Sequence, residues 1–524
     1  MTTDLQMARH TVASVNPATG EVLRTFDCAS DLDMAAAVGR ARAAQRVWNS
    51  LGIRRRVETI RKFQSLLHEN KSDVARLITQ ETGKPYAEAL TTEVMVVLDA
   101  ARFVIENAFA VLRDRTLPHG SLVAKTKAGR VLSEPYGVIG IISPWNYPFS
   151  IPATEALSAL VAGNAVVLKP SEYTSLCALE FQSLVDRAGL LKDVLQVVVG
   201  DGTTGAALSN SEIDKVVFTG SVQTGKRVAQ AAAARLLPVL LELGGKDPML
   251  VLADANLDVA SSGAIWGAFV NAGQTCLSVE RCYVDQKIYD QFVRSCGEKA
   301  RRLRVGNGLD SESDVGPLIH DRQLRLVESH VEEAKAHGAR VVEGGKRLPE
   351  LGPNFYAPTV LADVTQSMRI MREETFGPVL PVMSFATEEE AIRLANDCEY
   401  GLAASVWTSD RRRGERIASQ ISAGTVMVND VVSCFGISEA PHGGVKASGI
   451  GRTHGILGLQ EMVRVKYVDS DRLHFMKKVW WYRYGAEFAG YMERFLDLMF
   501  ARRRLQRLVA AVGSGGVLRR KGQL

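Results

Sequence analysis

The run Val138-Ile-Gly-Ile-Ile142, followed at once by Ser143-Pro-Trp-Asn-Tyr-Pro148, decides how this chain is read. Four β-branched residues in five suit a strand buried on both faces, and the two prolines then stiffen the loop that ends it. Asn146 lies between those prolines as a side-chain amide on a rigid mount. The plainer alternative is an Asn that caps the next helix. Similar short runs recur at Ala165 to Leu168, Val194 to Val199, Lys215 to Phe218 and Pro238 to Leu243, with helical segments between them. A parallel α/β sheet is the economical fold for such alternation.

Working outward, residues 31–112 carry apolar residues at three and four spacings, with Ser30 as the predicted cap and a break near Asn70 to Asp73. Ser121 to Glu134 is polar and alternating around Gly129 and reads as a projecting hairpin. A second α/β stretch runs from Gly244 to about Gly444. Its strand candidates are Arg281 to Asp285, Thr359 to Leu361, Val379 to Phe385, Leu402 to Thr408 and Thr425 to Asn429.

At 524 residues the chain needs more than one core, and 46% hydrophobic with 23% charged residues excludes disorder over its bulk. Seven scattered cysteines without a C-x-x-C pair suggest neither a disulfide frame nor a metal site, and no metal is expected. No secretory signal is read in Met1 to Gly20, so a cytoplasmic location is expected. The net charge of +5 divides into about −3 over the first 470 residues and +8 over the last 54, which sets a basic tail apart and implies no nucleic-acid partner for the body.

Three segments carry chemistry. Asn271-Ala-Gly-Gln-Thr-Cys276 surrounds a cysteine with small residues whose backbone N–H groups would favour the thiolate, although a lone cysteine is more often a core residue. Leu241-Glu242-Leu243-Gly244-Gly245 puts a carboxylate at a strand end beside a flexible turn. A solvated surface acid is its plainer reading. The third segment is the Asn146 loop.

Together they resemble the aldehyde dehydrogenase superfamily over about residues 12 to 470. The family's other signatures follow in order: Lys169-Pro-Ser-Glu172, Phe218-Thr-Gly220-Ser221 with Gly225, Glu373-Glu374-Thr-Phe376-Gly-Pro378, and Pro441-His442-Gly-Gly-Val-Lys446 with Ser448-Gly449. His442 departs from the family's usual phenylalanine. The resemblance implies an α/β fold with a Rossmann-type NAD-binding domain at 12–114 and 135–243 and an α/β catalytic domain at 244–445. It further implies a small β-hairpin oligomerisation element at 115–134 and 446–470, leaving 471–524 as the tail.

It also implies roles. Cys276 would attack the aldehyde, Asn146 and the Cys276 N–H would hold the oxyanion, and Glu242 would activate the water that hydrolyses a thioester. Trp145, Lys169, Glu172, Gly220, Ser221, Gly225, Leu243, Glu374 and Phe376 would bind the cofactor, although the usual G-x-G-x-x-G is absent. A carboxylate at Glu172 would repel a 2′-phosphate, so NAD is expected over NADP. The segments around Cys276 and Lys446 look like those of succinate-semialdehyde dehydrogenases. Yet Val270 and Thr154 stand where arginines would grip a second carboxylate, so an uncharged hydrophobic aldehyde is expected, with succinate semialdehyde as the alternative. A catalytically inactive scaffold is opposed by the joint presence of Cys276, Asn146 and Glu242. Self-association as a dimer or tetramer is expected through the hairpin.

The tail holds nine of the chain's 35 aromatics, among them Trp480, Trp481, Tyr482 and Tyr484. Phe488, Met492, Phe495 and Met499 recur at helical spacing before Arg502-Arg503-Arg504 and Leu505, Leu508, Val509 and Val512. An anionic membrane surface is its expected partner, and packing on a neighbouring subunit or on its own body is the alternative.

Overall fold

The computed structural model describes residues 10–121, 124–478, 480–482, 484–502 and 507. Strand β1 (Thr11–Val15) pairs antiparallel with β2 (Val22–Asp27), and β3 (Arg115–Leu117) pairs antiparallel with β4 (Lys127–Pro135). Next come β5 (Val138–Ile142), β6 (Ala165–Lys169), β7 (Leu195–Val197), β8 (Lys215–Thr219) and β9 (Val239–Glu242), all parallel. A second sheet contains β10 (Asp247–Val251), β11 (Val279–Asp285), β12 (Arg340–Glu343), β13 (Thr359–Ala362), β14 (Val379–Phe385), β15 (Ala403–Trp407) and β16 (Thr425–Val428). The short β17 (Gly449–Ile450) returns to pair antiparallel with β9, and β18 (Val463–Asp471) lies beside β4.

The orders are β17-β9-β8-β5-β6-β7 and β12-β13-β14-β11-β10-β15-β16. All five residues of β5 are buried, as its β-branched run requires. Each sheet carries its own core: Trp48, Phe63, Phe149 and Phe181 pack with the first, and Phe269, Tyr283 and Phe292 with the second. Ser30 forms a capping box with Asp33 at the start of the helix Asp31–Ser50. The helical stretch also breaks at Leu51–Gly52 and at Gly83–Pro85, besides Asn70.

Two strands of the second sheet escape the sequence reading, as do β1, β2, β3, β17 and β18 outside it. β10 lies in the middle of its sheet although it contains Pro248, a residue ordinarily confined to edges; the register shifts between Asp247 and Pro248 and accommodates the missing N–H. β12 is a half-buried edge strand, too weakly patterned to announce itself.

The chain divides into two compact units. One holds the described residues up to Arg113 with Ser133–Arg464, the other Asp114–Leu132 with those from Val465 onward. Residues 446–464 therefore group with the two main sheets and not with the hairpin, because β17 extends the first sheet. In the smaller unit the helix Ala486–Phe500 carries Phe488, Met492, Phe495 and Met499 half-buried, while Leu496 and Phe500 are exposed. Arg503, Arg504, Leu505, Leu508, Val509 and Val512 lie outside the described residues.

Candidate active site

In the first sheet the chain leaves β5 toward β6 on one side, and returns at β8 on the other, so a crevice opens at the carboxyl ends between β5 and β8. Pro144 to Asn146 follow β5, Gly220 and Ser221 follow β8, and Glu242 ends β9. The second sheet meets this edge with its amino ends: Cys276 precedes β11, and Glu374 and Phe376 precede β14. Trp145, Asn146, Gly220, Glu242, Cys276 and Glu374 thus line a single cavity of about 660 Å³, ample for a cofactor and a small substrate.

The Asn146 and Cys276 loops are tied to each other. Asn271, Ala272 and Gly273 all have positive φ (54°, 54° and 74°), and a Cβ on Gly273 would come within 2.1 Å of the Gly377 carbonyl oxygen. Asn271 donates through Nδ2 to the carbonyl oxygens of Asn146 (3.0 Å) and Gln274 (3.1 Å). The Asn146 amide donates to the same Gln274 oxygen at 3.0 Å, using one of its two N–H bonds two residues from Cys276. Behind the loop, buried Lys84 donates to the Asn146 carbonyl at 2.8 Å and to Glu93 at 2.6 Å. The other Glu93 oxygen accepts from the N–H groups of Phe149 and Ser150, at the start of the helix Ser150–Val161.

Burial pushes the Cys276 thiol well above its usual range, and the carboxylates of Asp247, Glu242 and Glu374 add to the shift. The expectation that its loop alone favours the thiolate is corrected on this point, since desolvation and surrounding acids outweigh small neighbouring residues.

Glu242 is 6% exposed, and neither of its oxygens has a hydrogen-bond partner. Burial raises its carboxyl well above the ordinary range; Glu155 pushes the same way and Arg452 opposes. Glu155, bonded to Thr219 at 3.1 Å, is itself lifted by burial to about 8. Opposite them, His442 Nε2 stands 3.7 Å from Glu242 Oε2. Burial, then His454 and Arg452, lower His442 to about 3, and burial lowers His454 to about 4. Burial therefore disfavours the charged form of all four ionisable groups on this wall.

The cofactor candidates divide. Trp145, Gly220, Ser221, Leu243, Glu374 and Phe376 line the cavity, whereas Lys169, Glu172 and Gly225 do not. Ser221 caps the helix Val222–Ala233, and Gly225 serves packing: a Cβ there would come within 2.4 Å of Leu243 Cδ2. The buried Lys169 ammonium meets Glu172 at 3.6 Å, too long for a hydrogen bond, so its donors remain available to a ligand. Glu374 accepts from Gly245 N–H at 3.0 Å and is raised by burial to about 8, while Phe376 stands edge-on to Trp145 at 5.4 Å. A helix amino end, a buried ammonium with spare donors and a carboxyl with a free oxygen edge fit a nicotinamide dinucleotide.

Several lining residues carry no recognisable signal in sequence. His320, Arg322 and Arg325 come from the segment around the helix Asp321–Ala336, and Phe435, Thr453 and His454 from the loops near His442. Thr154 lines the cavity, but Val270 is buried away from it.

The aldehyde dehydrogenase family profile matches residues 5–468. A 4,4'-diapolycopene aldehyde oxidase of Methylomonas sp. is 41% identical over 493 residues, 94% of this chain and 91% of that protein. A putative NADP(+) succinate-semialdehyde dehydrogenase of Mycolicibacterium smegmatis is 41% identical over 456 residues, 87% of this chain and 88% of its own. Among solved structures, the NAD+ complex of an aldehyde dehydrogenase from Bacillus cereus superposes with a TM-score of 0.84 at 37% identity, covering 88% of this chain and 93% of its own. An NADP-dependent enzyme of E. coli gives 0.84 at 36%, covering 88% and 95%.

Proposed function

The chain belongs to the aldehyde dehydrogenase family and oxidises aldehydes with a nicotinamide dinucleotide; from that premise we propose that Cys276 is the nucleophile, Asn146 an oxyanion donor and Glu242 the base. The Cys276 thiol gives its proton to water in the cavity as the sulfur adds to the carbonyl carbon, the C=O π pair moving onto oxygen to form a thiohemiacetal. The second Asn146 N–H and the Cys276 N–H receive the oxygen as its charge develops, an effect typically worth about 2.7 to 4 kcal/mol per donor. The dinucleotide, when bound, would accept the hydride that leaves this carbon, and a thioester would remain on Cys276. Glu242 then draws a proton from water, whose oxygen attacks the thioester and releases the carboxylic acid. The observation that carries this reading is the Asn146 amide held 3.0 Å from the Gln274 carbonyl, in one cavity with Cys276 and an unpartnered Glu242.

NAD is the proposed cofactor, because Glu172 beside Lys169 would repel a 2′-phosphate. The proposed substrate is an uncharged hydrophobic aldehyde: Ile151, Thr154, Leu402 and Phe435 line the cavity, and one relative is named for 4,4'-diapolycopene aldehyde. Arg322 and Arg325 also line it, which together with the other relative's name keeps succinate semialdehyde as the second reading. The test is an aldehyde panel graded in chain length and terminal charge, followed by NADH absorbance in wild type and Cys276→Ala. Wild type should prefer apolar aldehydes, and the variant should bind NAD while forming no NADH. Activity in the variant at even a tenth of wild type removes Cys276 from the role, and a preference for succinate semialdehyde reverses the substrate reading.

We also propose that the enzyme is a dimer or tetramer built on the three-stranded sheet, whose edge strand β18 exposes Val465, Tyr467 and Val468. The exposed Trp481, Tyr482, Tyr484 and Phe500 are proposed to rest on an anionic membrane surface; no described helix is long and apolar enough to cross one. Light scattering checks the first proposal, a monomer at micromolar concentration opposing it. For the second, truncation after Ser470 should abolish sedimentation with anionic vesicles, and a full-length protein that ignores vesicles at low salt refutes it.

A further inference from the structure

We propose that His10, Cys28 and Asp201 form a zinc-binding site on the larger unit, outside the catalytic cavity. Among the described residues they are the one group of three such side chains whose donor atoms, an imidazole nitrogen, Sγ and a carboxylate oxygen, all lie within 4.8 Å of one another. None of the three lines the cavity.

Three separate segments bring them together, which is why no spacing in the sequence announces the group. His10 precedes β1 and Cys28 follows β2, and the Cys28 N–H donates to the His10 carbonyl at 2.8 Å, so both stand at the open end of one hairpin. The next residue, Ala29, donates to the Val199 carbonyl at 3.0 Å and pins that end against the loop after β7, which carries Asp201. Asp201 in turn caps the helix Gly202–Asn210: its Oδ1 accepts from the Thr203 N–H at 2.8 Å and from the Thr203 hydroxyl at 2.7 Å. The Thr203 hydroxyl leads the interactions that hold this carboxyl below its ordinary range. The other oxygen, Oδ2, stands 3.0 Å from His10 Nε2.

The donor set selects the ion. Magnesium and calcium take oxygen ligands, whereas an imidazole, a thiolate and a carboxylate are the ligands zinc takes. In a tetrahedral zinc site, bonds of about 2.0 Å to nitrogen and oxygen and about 2.3 Å to sulfur put neighbouring donors about 3.3 to 3.5 Å apart. Asp201 Oδ2 and His10 Nε2 are near that spacing already, and the His10 side chain, 69% exposed, has room to turn toward Cys28 Sγ. An ion pair this exposed contributes little to stability, so a purely structural pairing of His10 with Asp201 leaves the third donor unexplained. Three protein ligands leave the fourth position to water, as in an open site.

Burial, the largest influence on it, holds the Cys28 thiol above its usual range, so the ion has to displace a proton. The zinc–sulfur bond forms as the S–H bond breaks; the electron pair stays on sulfur and the proton leaves to solvent. His10 coordinates through Nε2 as the neutral imidazole, with its proton on Nδ1. Nothing is oxidised or reduced. Lys169 and Glu172 both act on the Cys28 thiol through their charges, so the site neighbours the pair proposed to meet the cofactor, although the inference does not rest on that proposal.

The experiment titrates Zn²⁺, and Co²⁺ as its coloured substitute, into the full-length protein carrying Cys276→Ala, which removes the competing thiol of the cavity. One ion per chain should bind in the micromolar range, Co²⁺ should give thiolate-to-metal charge-transfer absorption, and the unfolding temperature should rise with zinc concentration. Cys28→Ser should abolish the charge-transfer band. Cys28→Ser, His10→Gln and Asp201→Asn should each weaken Zn²⁺ binding about tenfold or more. Unfolding temperatures without metal that match the parent's show that ligands, and not the fold, have been lost. Asp201→Asn keeps a capping oxygen, and should it nevertheless unfold, the other two variants decide. Absence of the charge-transfer band, a band that survives Cys28→Ser, or zinc affinity unchanged in Cys28→Ser and His10→Gln overturns the site.

Discussion

Two kinds of buried polar cluster in the larger unit are built on opposite terms. Around Lys84 and Glu93, both with side chains 0% exposed, the pair meets at 2.6 Å and its remaining atoms bond to Asn146, Phe149 and Ser150. Around Lys246 and Glu280 the pair meets at 2.5 Å, and Glu280 also accepts from the N–H groups of Thr375 and Phe376. Across the cavity, Glu242, one oxygen of Glu155, and ring nitrogens of His442 and His454 have no partner. The difference teaches which groups hold and which react. Satisfied ion pairs fasten the loops that carry Asn146 and Phe376, whereas groups left unsatisfied in a cavity are poised to change protonation state.

The largest effect that could break this comparison is on stability. Glu93→Gln leaves Lys84 buried without its counter-charge and should cost about 3–5 kcal/mol in urea or thermal unfolding. Compared near pH 5, where ionisation of this group has scarcely begun to cost stability, Glu155→Gln replaces a neutral, half-satisfied carboxyl by a neutral amide and should change stability by no more than about 1 kcal/mol. Equal losses in the two variants would erase the distinction between the clusters.

A smaller and sharper signal lies in pH. The Glu155 carboxyl titrates at about 8 in the folded protein against an ordinary 4.5, so its protonated form is favoured by folding. That contribution is complete below about pH 4.5 and is lost as pH rises through about 8. Stability of the wild type should therefore fall between pH 5 and 8, by up to about 1.4 kcal/mol per pH unit from this group, and Glu155→Gln should flatten the fall. An unchanged slope would show that Glu155 is solvated and ionised.

The smallest expected effect is at Lys169 and Glu172, which lie outside the cavity lining and are proposed to meet the cofactor; they form an intermediate case, paired at 3.6 Å but not hydrogen-bonded. Wild type should give the higher kcat/KM with NAD, and Glu172→Ser should narrow the ratio about tenfold, equivalent to about 1.4 kcal/mol. Equal or better use of NADP by the wild type would contradict the assignment.

The sequence by itself determined what is local. The strand Val138–Ile142 and the stiff loop after it, and the cap at Ser30, rest on interactions within a few residues or on a local residue pattern, so they survive in one dimension. The order of the motifs likewise sufficed to nominate Asn146, Glu242 and Cys276. Only the tertiary structure decided their condition. Desolvation depends on what covers a group, and that cover comes from distant chain: Lys84 reaches the Asn146 carbonyl from 62 positions away, and His442 meets Glu242 across the interval that contains the whole second sheet. For the same reason Thr154 lines the cavity while Val270, six residues before Cys276, is turned into the core. A residue's chemical type is written in the sequence, but its protonation state and its access to a substrate are set by neighbours that only folding brings together.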